Sequence, residues 1–267
     1  MNLPLPSRSW SRRRQRAFTM VEIAISIAIV GFALVAIIGV LPTGVNVQKQ
    51  NREETIINQD GSLWLEAIRS GATGLDYLTN QVDWIQVKSQ SGSSFGLYSY
   101  DYKQGYRNGR DIIGLLSLPK VLPQSSARPN DWWTNNVQAF VRGMSGPAAE
   151  KSPHNDFAFW YRMTVELVPF NAAPGMDTNL AGLSGNLADR ISRTNLLNRA
   201  VNLGNNLYDL RLTFDWPVYQ TQNGVHVGSN RKVFRTLVSG SLGTNRVSYL
   251  PGVTLYFLEP SQFVFIR

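Results

Sequence analysis

The stretch Arg16-Ala17-Phe18-Thr19-Met20-Val21-Glu22-Ile23 opens an apolar run that continues to Leu41, and within that run Glu22 is the only ionisable side chain. About 24 residues rising about 1.5 Å each make a helix of about 36 Å, enough to cross a hydrocarbon core of about 30 Å with some tilt. On its N-terminal side Ser7 to Arg16 reads SRSWSRRRQR. Five Arg and no acid fall in the first 17 residues, which by the positive-inside rule places that end in the cytoplasm and everything after Leu41 outside.

A secretory signal peptide is the first alternative, and Arg12, Arg13 and Arg14 also permit a twin-arginine reading. The apolar run is longer than an h-region of about 7–15 residues, and Leu41-Pro42-Thr43-Gly44-Val45 offers no small-x-small cleavage site. Glu22 is of no use to an h-region. A charged side chain near a membrane-helix centre costs about 2.5–3.5 kcal/mol, less near the end where Glu22 sits, so an intramembrane carboxylate marks a function.

A basic leader, a small residue, Phe and then Glu at the fifth position of an apolar helix closely resemble the processing site of type IV prepilins and type II secretion pseudopilins. The likeness covers about residues 12 to 42. It implies that a prepilin peptidase cuts between Ala17 and Phe18 on the cytoplasmic side and methylates the new amine of Phe18. The family usually has Gly before the cut; Ala17 is the next smallest side chain. The resemblance further implies that Glu22 pairs with the N-terminal amine of a neighbouring subunit and sets the axial register of a helical bundle, a use for which buried charge pairs are well suited. The plainer alternative is an interfacial Glu that snorkels to the headgroups. Asn51-Arg52-Glu53-Glu54-Thr55-Ile56-Ile57-Asn58-Gln59-Asp60 resembles the pilin-like proteins of multi-gene cassettes, the Verru_Chthon cassette protein B type. The partners implied are prepilin peptidase, other pilin-like subunits with an inner-membrane assembly platform, and membrane lipid. The location implied is a single-pass inner-membrane protein with its head in the periplasm or outside, later part of an envelope filament.

Working outward, Ala24, Ala28 and Gly31 fall on roughly one helix face, as a packing seam in lipid would, though such residues are common in any membrane helix. Pro42 is expected to kink the helix or unwind it locally as it leaves the bilayer. Ile56, Ile57, Leu63, Trp64, Ala67 and Ile68 repeat as one helix face, so the stalk continues to about Arg69. Asp60-Gly61-Ser62 either interrupts it, with Asp60 or Ser62 recapping a second helix, or is absorbed into one continuous helix.

The fold class expected is α+β, a long N-terminal helix packed through its outer half on a mainly antiparallel sheet. The segments expected are a cleavable leader over 1–17, a transmembrane and assembly helix over 18–42, the outer stalk over 43–70 and a loop-rich extracytoplasmic head over 71–267. Within the head, short strands are expected at Val82 to Val87 and Phe95 to Tyr100 in otherwise loop-heavy sequence. Alternation predicts strands at Phe157 to Val168 and at Tyr208 to Trp216, the second forming a long-looped hairpin with Arg231 to Ser239. Gly252 to Glu259 and Phe263 to Ile266 read as edge strands, and Leu187 to Val201 as a helix.

Composition bounds the chemistry. The net charge of +8 on 267 residues owes five of its cations to the leader, so no nucleic-acid partner is expected from charge alone. Arg190, Arg193 and Arg199 read as a solvated helix face before they read as a DNA patch, and Trp132-Trp133 as core before a sugar platform. The absence of Cys excludes disulfides, thiolate metal sites and Cys nucleophiles. His154 and His226 lack metal-ligand spacing, and no hydrolase, nucleotide or EF-hand motif occurs. The expectation is a structural subunit without cofactor, a minor pilin or pseudopilin. The rival readings are an anchored adhesin or tip module recognising sugar, protein or DNA, and an anchored envelope enzyme.

Overall fold

A computed structural model describes residues 18–71, 74–91, 94–101, 108–122, 133–145, 159–170, 186–221, 224–246 and 253–265, giving the backbone alone for 91, 94–101, 122, 133 and 220. The leader with Ala17, and Trp132, His154, Phe157 and Ile266, lie outside the described residues. The chain falls into two units, one ending at Arg52 and one running from Glu53 to Arg267. Helix α1, Met20–Arg69, runs from the first into the second.

α1 is helical throughout, including Pro42 and Gly61. The local unwinding expected at Pro42 is therefore not seen: proline removes one backbone donor, and the ladder resumes on either side of it. Asp60-Gly61-Ser62 recaps nothing. Ser62 donates back to the Asn58 carbonyl at 3.1 Å, as a serine in mid-helix does. The helix ends where Gly71 takes φ +57° and donates its N–H to the Ile68 carbonyl at 3.2 Å, a left-handed cap that glycine adopts without strain.

In the second unit the sheet runs β2-β1-β4-β5-β6-β7, with the short β3 (Val121–Leu122) also on β4, and its strand pairs are antiparallel. The strands are β1 Val82–Ser91, β2 Ser94–Asp101, β4 Trp133–Arg142, β5 Trp160–Pro169, β6 Leu207–Thr221 and β7 Gly224–Ser239. β8 (Ser241–Arg246) and β9 (Thr254–Glu259) form a separate pair. One hydrophobic core joins Ile57, Trp64 and Ile68 of α1 to Val137 and Ala139 of β4, Tyr161 and Met163 of β5, and Leu210, Leu212 and Phe214 of β6. Helix α2, Gly109–Leu116, completes it with Ile112, Ile113 and Leu116, beside Leu255 and Phe257 of β9. The expected faces hold: on α1, Ile56, Ile57, Trp64, Ala67 and Ile68 are buried, and on β5 Tyr161 to Leu167 alternate in and out.

On the other face of the sheet Asp209 and Asp215 are buried, because each is covered by two arginines. Asp215 accepts from Arg162 at 2.7 Å and Arg231 at 2.6 Å, and Asp209 from Arg211 and Arg235, both at 2.8 Å. The hydrogen bond from Arg235, helped by Arg211, holds the Asp209 carboxyl below its ordinary range.

Three expectations are corrected. The β6–β7 hairpin has no long loop, since Thr221 pairs with Gly224 and only residues 222 and 223 separate the strands. Residues 263–265 are not a strand: the Asn206 side chain takes the place of a neighbouring strand, accepting from Val264 N–H at 2.7 Å and donating to its carbonyl at 2.6 Å. The region after Gly71 also holds more than the two strands expected: the short β3, the central strand β4 and the helix α2, which Asn108 caps by accepting the Asp111 N–H at 3.0 Å.

Gly61 is buried on the face of α1 that packs against the sheet. A Cβ there would sit 2.6 Å from two ring carbons of Phe234 on β7. Gly61→Ala is accordingly expected to lower stability by about 1–2 kcal/mol, overpacking outweighing the helix propensity gained. In helix α3, Leu187–Asn206, a Cβ on Gly204 meets only the Phe170 carbonyl oxygen at 3.5 Å. Gly204→Ala should raise stability by about 0.5–1 kcal/mol, so chemical denaturation of the two variants checks the argument by opposite signs.

Candidate functional site

Phe18 and Thr19 precede the helix, and the Thr19 carbonyl accepts the first helical bond, from Ile23 N–H at 3.2 Å. Thr19 is thus the N-cap and Glu22 the third residue of the first turn. Thr19 N–H donates to Glu22 Oε2 at 2.8 Å, the Thr19 hydroxyl donates to the same oxygen at 3.0 Å, and Glu22 N–H approaches Thr19 Oγ1 at 3.3 Å. This is a capping box, in which cap and carboxylate satisfy one another's donors. A helix end placed in lipid would need such partners, because unpartnered N–H groups are costly there. Ser26, also inside the apolar run, donates to the Glu22 carbonyl at 2.7 Å. The Thr-x-x-Glu spacing that announces such a box was present in the sequence, and reading Glu22 only as a charge overlooked it.

Around this turn the helix presents apolar surface. Phe18 is 80% exposed, and Ile23, Ile27, Phe32, Val35, Ile38 and Leu41 are all exposed. Among the described residues α1 is the one helix long and apolar enough to cross a membrane. Residues 12–38 match the prokaryotic N-terminal methylation motif. No curated protein and no solved structure matches the chain. The motif covers a small part of the 267 residues, yet it supports a pilin-like chain of the kind processed by prepilin peptidase, and the long apolar helix it begins is consistent with membrane anchoring. Phe18, Glu22 and four of the five leader arginines fall inside the matched span; Arg8 and Pro42 lie outside it.

A second polar cluster, within the head unit, fixes the outer part of α1 to the sheet. Asp60, fully buried, accepts the Met144 N–H at 2.8 Å and the Tyr161 hydroxyl at 3.0 Å on Oδ2, and the Ser145 hydroxyl on Oδ1. Trp64, one turn on, donates its indole N–H to the same Tyr161 oxygen at 3.0 Å. Asp60 was expected only as a helix cap; neither its neighbours nor its spacing in the sequence pointed to Tyr161.

The remaining sequence candidates do not converge. His226 is exposed on β7, the backbone of Trp133 starts β4, and Arg190, Arg193 and Arg199 are exposed on α3. Among the described residues no group of three or more His, Asp or Glu is placed to hold a metal ion.

Burial raises the Asp60 carboxyl above its ordinary 3.8, against the opposing hydrogen bonds from Ser145, Met144 and Tyr161. A raised folded value means that the folded state holds the proton more tightly, so the stability linked to it is full at acid pH and lost as pH rises through the folded value. Asp60→Asn removes this slope. Thermal melts across about pH 4–7 should show the wild type losing ground to the variant as pH rises, over a constant offset of about 1–3 kcal/mol from mismatched donors. Parallel curves would exclude Asp60 as the titrating group.

Proposed function

We propose that the chain is a minor pilin or pseudopilin, a structural subunit rather than an enzyme. A prepilin peptidase cuts between Ala17 and Phe18 and methylates Phe18, and the product is drawn from the inner membrane by an assembly platform into a pilus-like or secretion-like filament with other pilin-like subunits. The observation that carries this reading is a coincidence of boundaries. The matched motif spans the cut site, and the exposed apolar helix starts immediately after it, capped by the carboxylate that the motif supplies.

Several further roles belong to the same proposal. Glu22 meets the Phe18 amine of a neighbour and sets register, since a carboxylate in lipid is tolerated when paired. Pro42, inside α1, allows a bend where the helix leaves the bilayer. The leader stays in the cytoplasm and the head faces the periplasm or the outside, as the arginines before Phe18 direct. Membership of the cassette-type pilins rests on residues Asn51 to Asp60 alone. The minor role is argued from size, because a head of this bulk suits a few copies better than thousands.

Mass spectrometry of the mature N-terminus tests the reading. A chain starting at N-methyl-Phe18 is expected from cells with their prepilin peptidase, and an intact leader from cells without it. Glu22→Ala should be cut at the same bond and then fail to assemble. A leader retained in both backgrounds, or a cut beyond Leu41, would overturn the proposal.

A further inference from the structure

Among the described residues, most of the large apolar side chains that the head leaves exposed lie on two adjoining segments, α3 and the tail at 263–265. Leu187, Ile191 and Leu196 of α3 are exposed by half or more, as are, to about the same degree, Phe263, Val264 and Phe265. The segments meet where Asn206, in the last turn of α3, accepts the Val264 N–H and donates to the Val264 carbonyl. From Leu187 to Arg193 every residue of α3 is exposed, and helices draw most of their stability from being packed, so this one gains from a surface that covers it. Arg190, Arg193 and Arg199 stand on the same helix, exposed and, among the described residues, in no ion pair, with Asp189 the one acid beside them. The arginines of the sheet differ, since Arg162, Arg211, Arg231 and Arg235 are each held by a carboxylate.

We propose that α3 and the tail form a docking surface for an anionic phospholipid bilayer, the arginines meeting lipid phosphates while the apolar side chains enter the headgroup boundary. A surface that mixes Arg with Leu, Ile and Phe suits an interface charged outside and apolar within. Nucleic acid would meet the arginines and leave the apolar side chains wet. A second copy offers little to answer three cations, because Glu54, Glu66, Glu166, Asp209 and Asp215 are each paired already. Each Arg near an anionic membrane surface strengthens binding about fivefold. Anchoring by α1 keeps the head within reach of the bilayer, so even a weak contact is populated. The inference rests on that anchoring and not on cleavage at Phe18; on the pilin reading, the contact holds the subunit at the membrane until the assembly platform draws it out.

The chain has no Cys, so Gln262→Cys, exposed beside the tail, takes a single environment-sensitive fluorophore. The labelled full chain is reconstituted in vesicles of phosphatidylcholine alone or of an equal mixture with phosphatidylglycerol. Emission should shift to the blue in the mixed membrane and stay that of a wet label in phosphatidylcholine. Val233→Cys on β7, exposed but outside the surface, should stay wet in both. Replacing Arg190, Arg193 and Arg199 by Gln should abolish the shift and leave the head melting temperature unchanged, because none of them is ion-paired in the folded head. Phe263→Ser/Phe265→Ser should reduce it as well. A label equally wet in both membranes, or a shift that survives the loss of the three arginines, would overturn the inference and leave the pilin reading standing. A shift of equal size in both membranes would remove the part given to the arginines, and one that grows with the number of chains per vesicle would assign the surface to a second copy; either overturns it. If the chain floats with neither vesicle, α1 is no anchor, and the pilin reading falls together with this inference.

Discussion

The buried carboxylate of Asp60 is the contact on which the head's arrangement depends, because it ties α1 by hydrogen bonds to the paired strands β4 and β5. It lies on α1, takes a backbone donor and a hydroxyl from the segment that leaves β4, and shares the Tyr161 hydroxyl of β5 with Trp64. An apolar face would bury as much area but would let the helix slide or rotate over the sheet, whereas hydrogen bonds of fixed geometry select one register. Gly61 permits this by letting the helix backbone come up to Phe234. Removing one partner leaves the others with desolvated donors, which is why a few side chains hold so much of the packing in place.

The same helix solves the opposite problem at its other end. In the head its polar side chain is sheltered by the sheet; near Phe18 there is no sheet, and the polar groups of the first turn must satisfy each other. Thr19 and Glu22 do this within one turn, and Ser26 turns its hydroxyl onto the backbone. The first half of α1 can therefore be apolar on every side, while from Glu53 onward none of its large apolar side chains is exposed.

Much of this was legible in sequence where periodicity was long and unbroken. The apolar run from Phe18, the helix end near Arg69, and the alternation of β5 and β6 all read directly, because burial of one face imposes a period on the residues. β4 was hidden by its polar inward residue: Asn135 faces the core and is satisfied there by Ser89 and the Pro119 carbonyl, so the alternation looks broken. α2 was hidden by being short and buried nearly all round, with a glycine inside it that a Cβ would drive into Phe257. The tail at 263–265 looks like a strand because it is extended and apolar, yet a single Asn side chain is its partner. At the candidate site the residue types were legible and so was the Thr-x-x-Glu spacing, but the folded first turn is what shows both Thr19 donors ending on one Glu22 oxygen.

Among the described residues β7 ends the sheet, a long strand with a neighbour on one side alone. Such an edge is a template onto which another chain can add, and the hazard grows when many copies are concentrated side by side. Here the strand carries Arg231, Lys232 and Arg235 in quick succession, and the hairpin it shares with β6 is irregular between Trp216 and Val218. Each of these cations is already held by a carboxylate, Arg231 by Asp215, Lys232 by Glu54 and Arg235 by Asp209. A strand adding to this edge would therefore have to settle beside a row of ion pairs and strip water from them, a cost that a flat apolar edge would not impose.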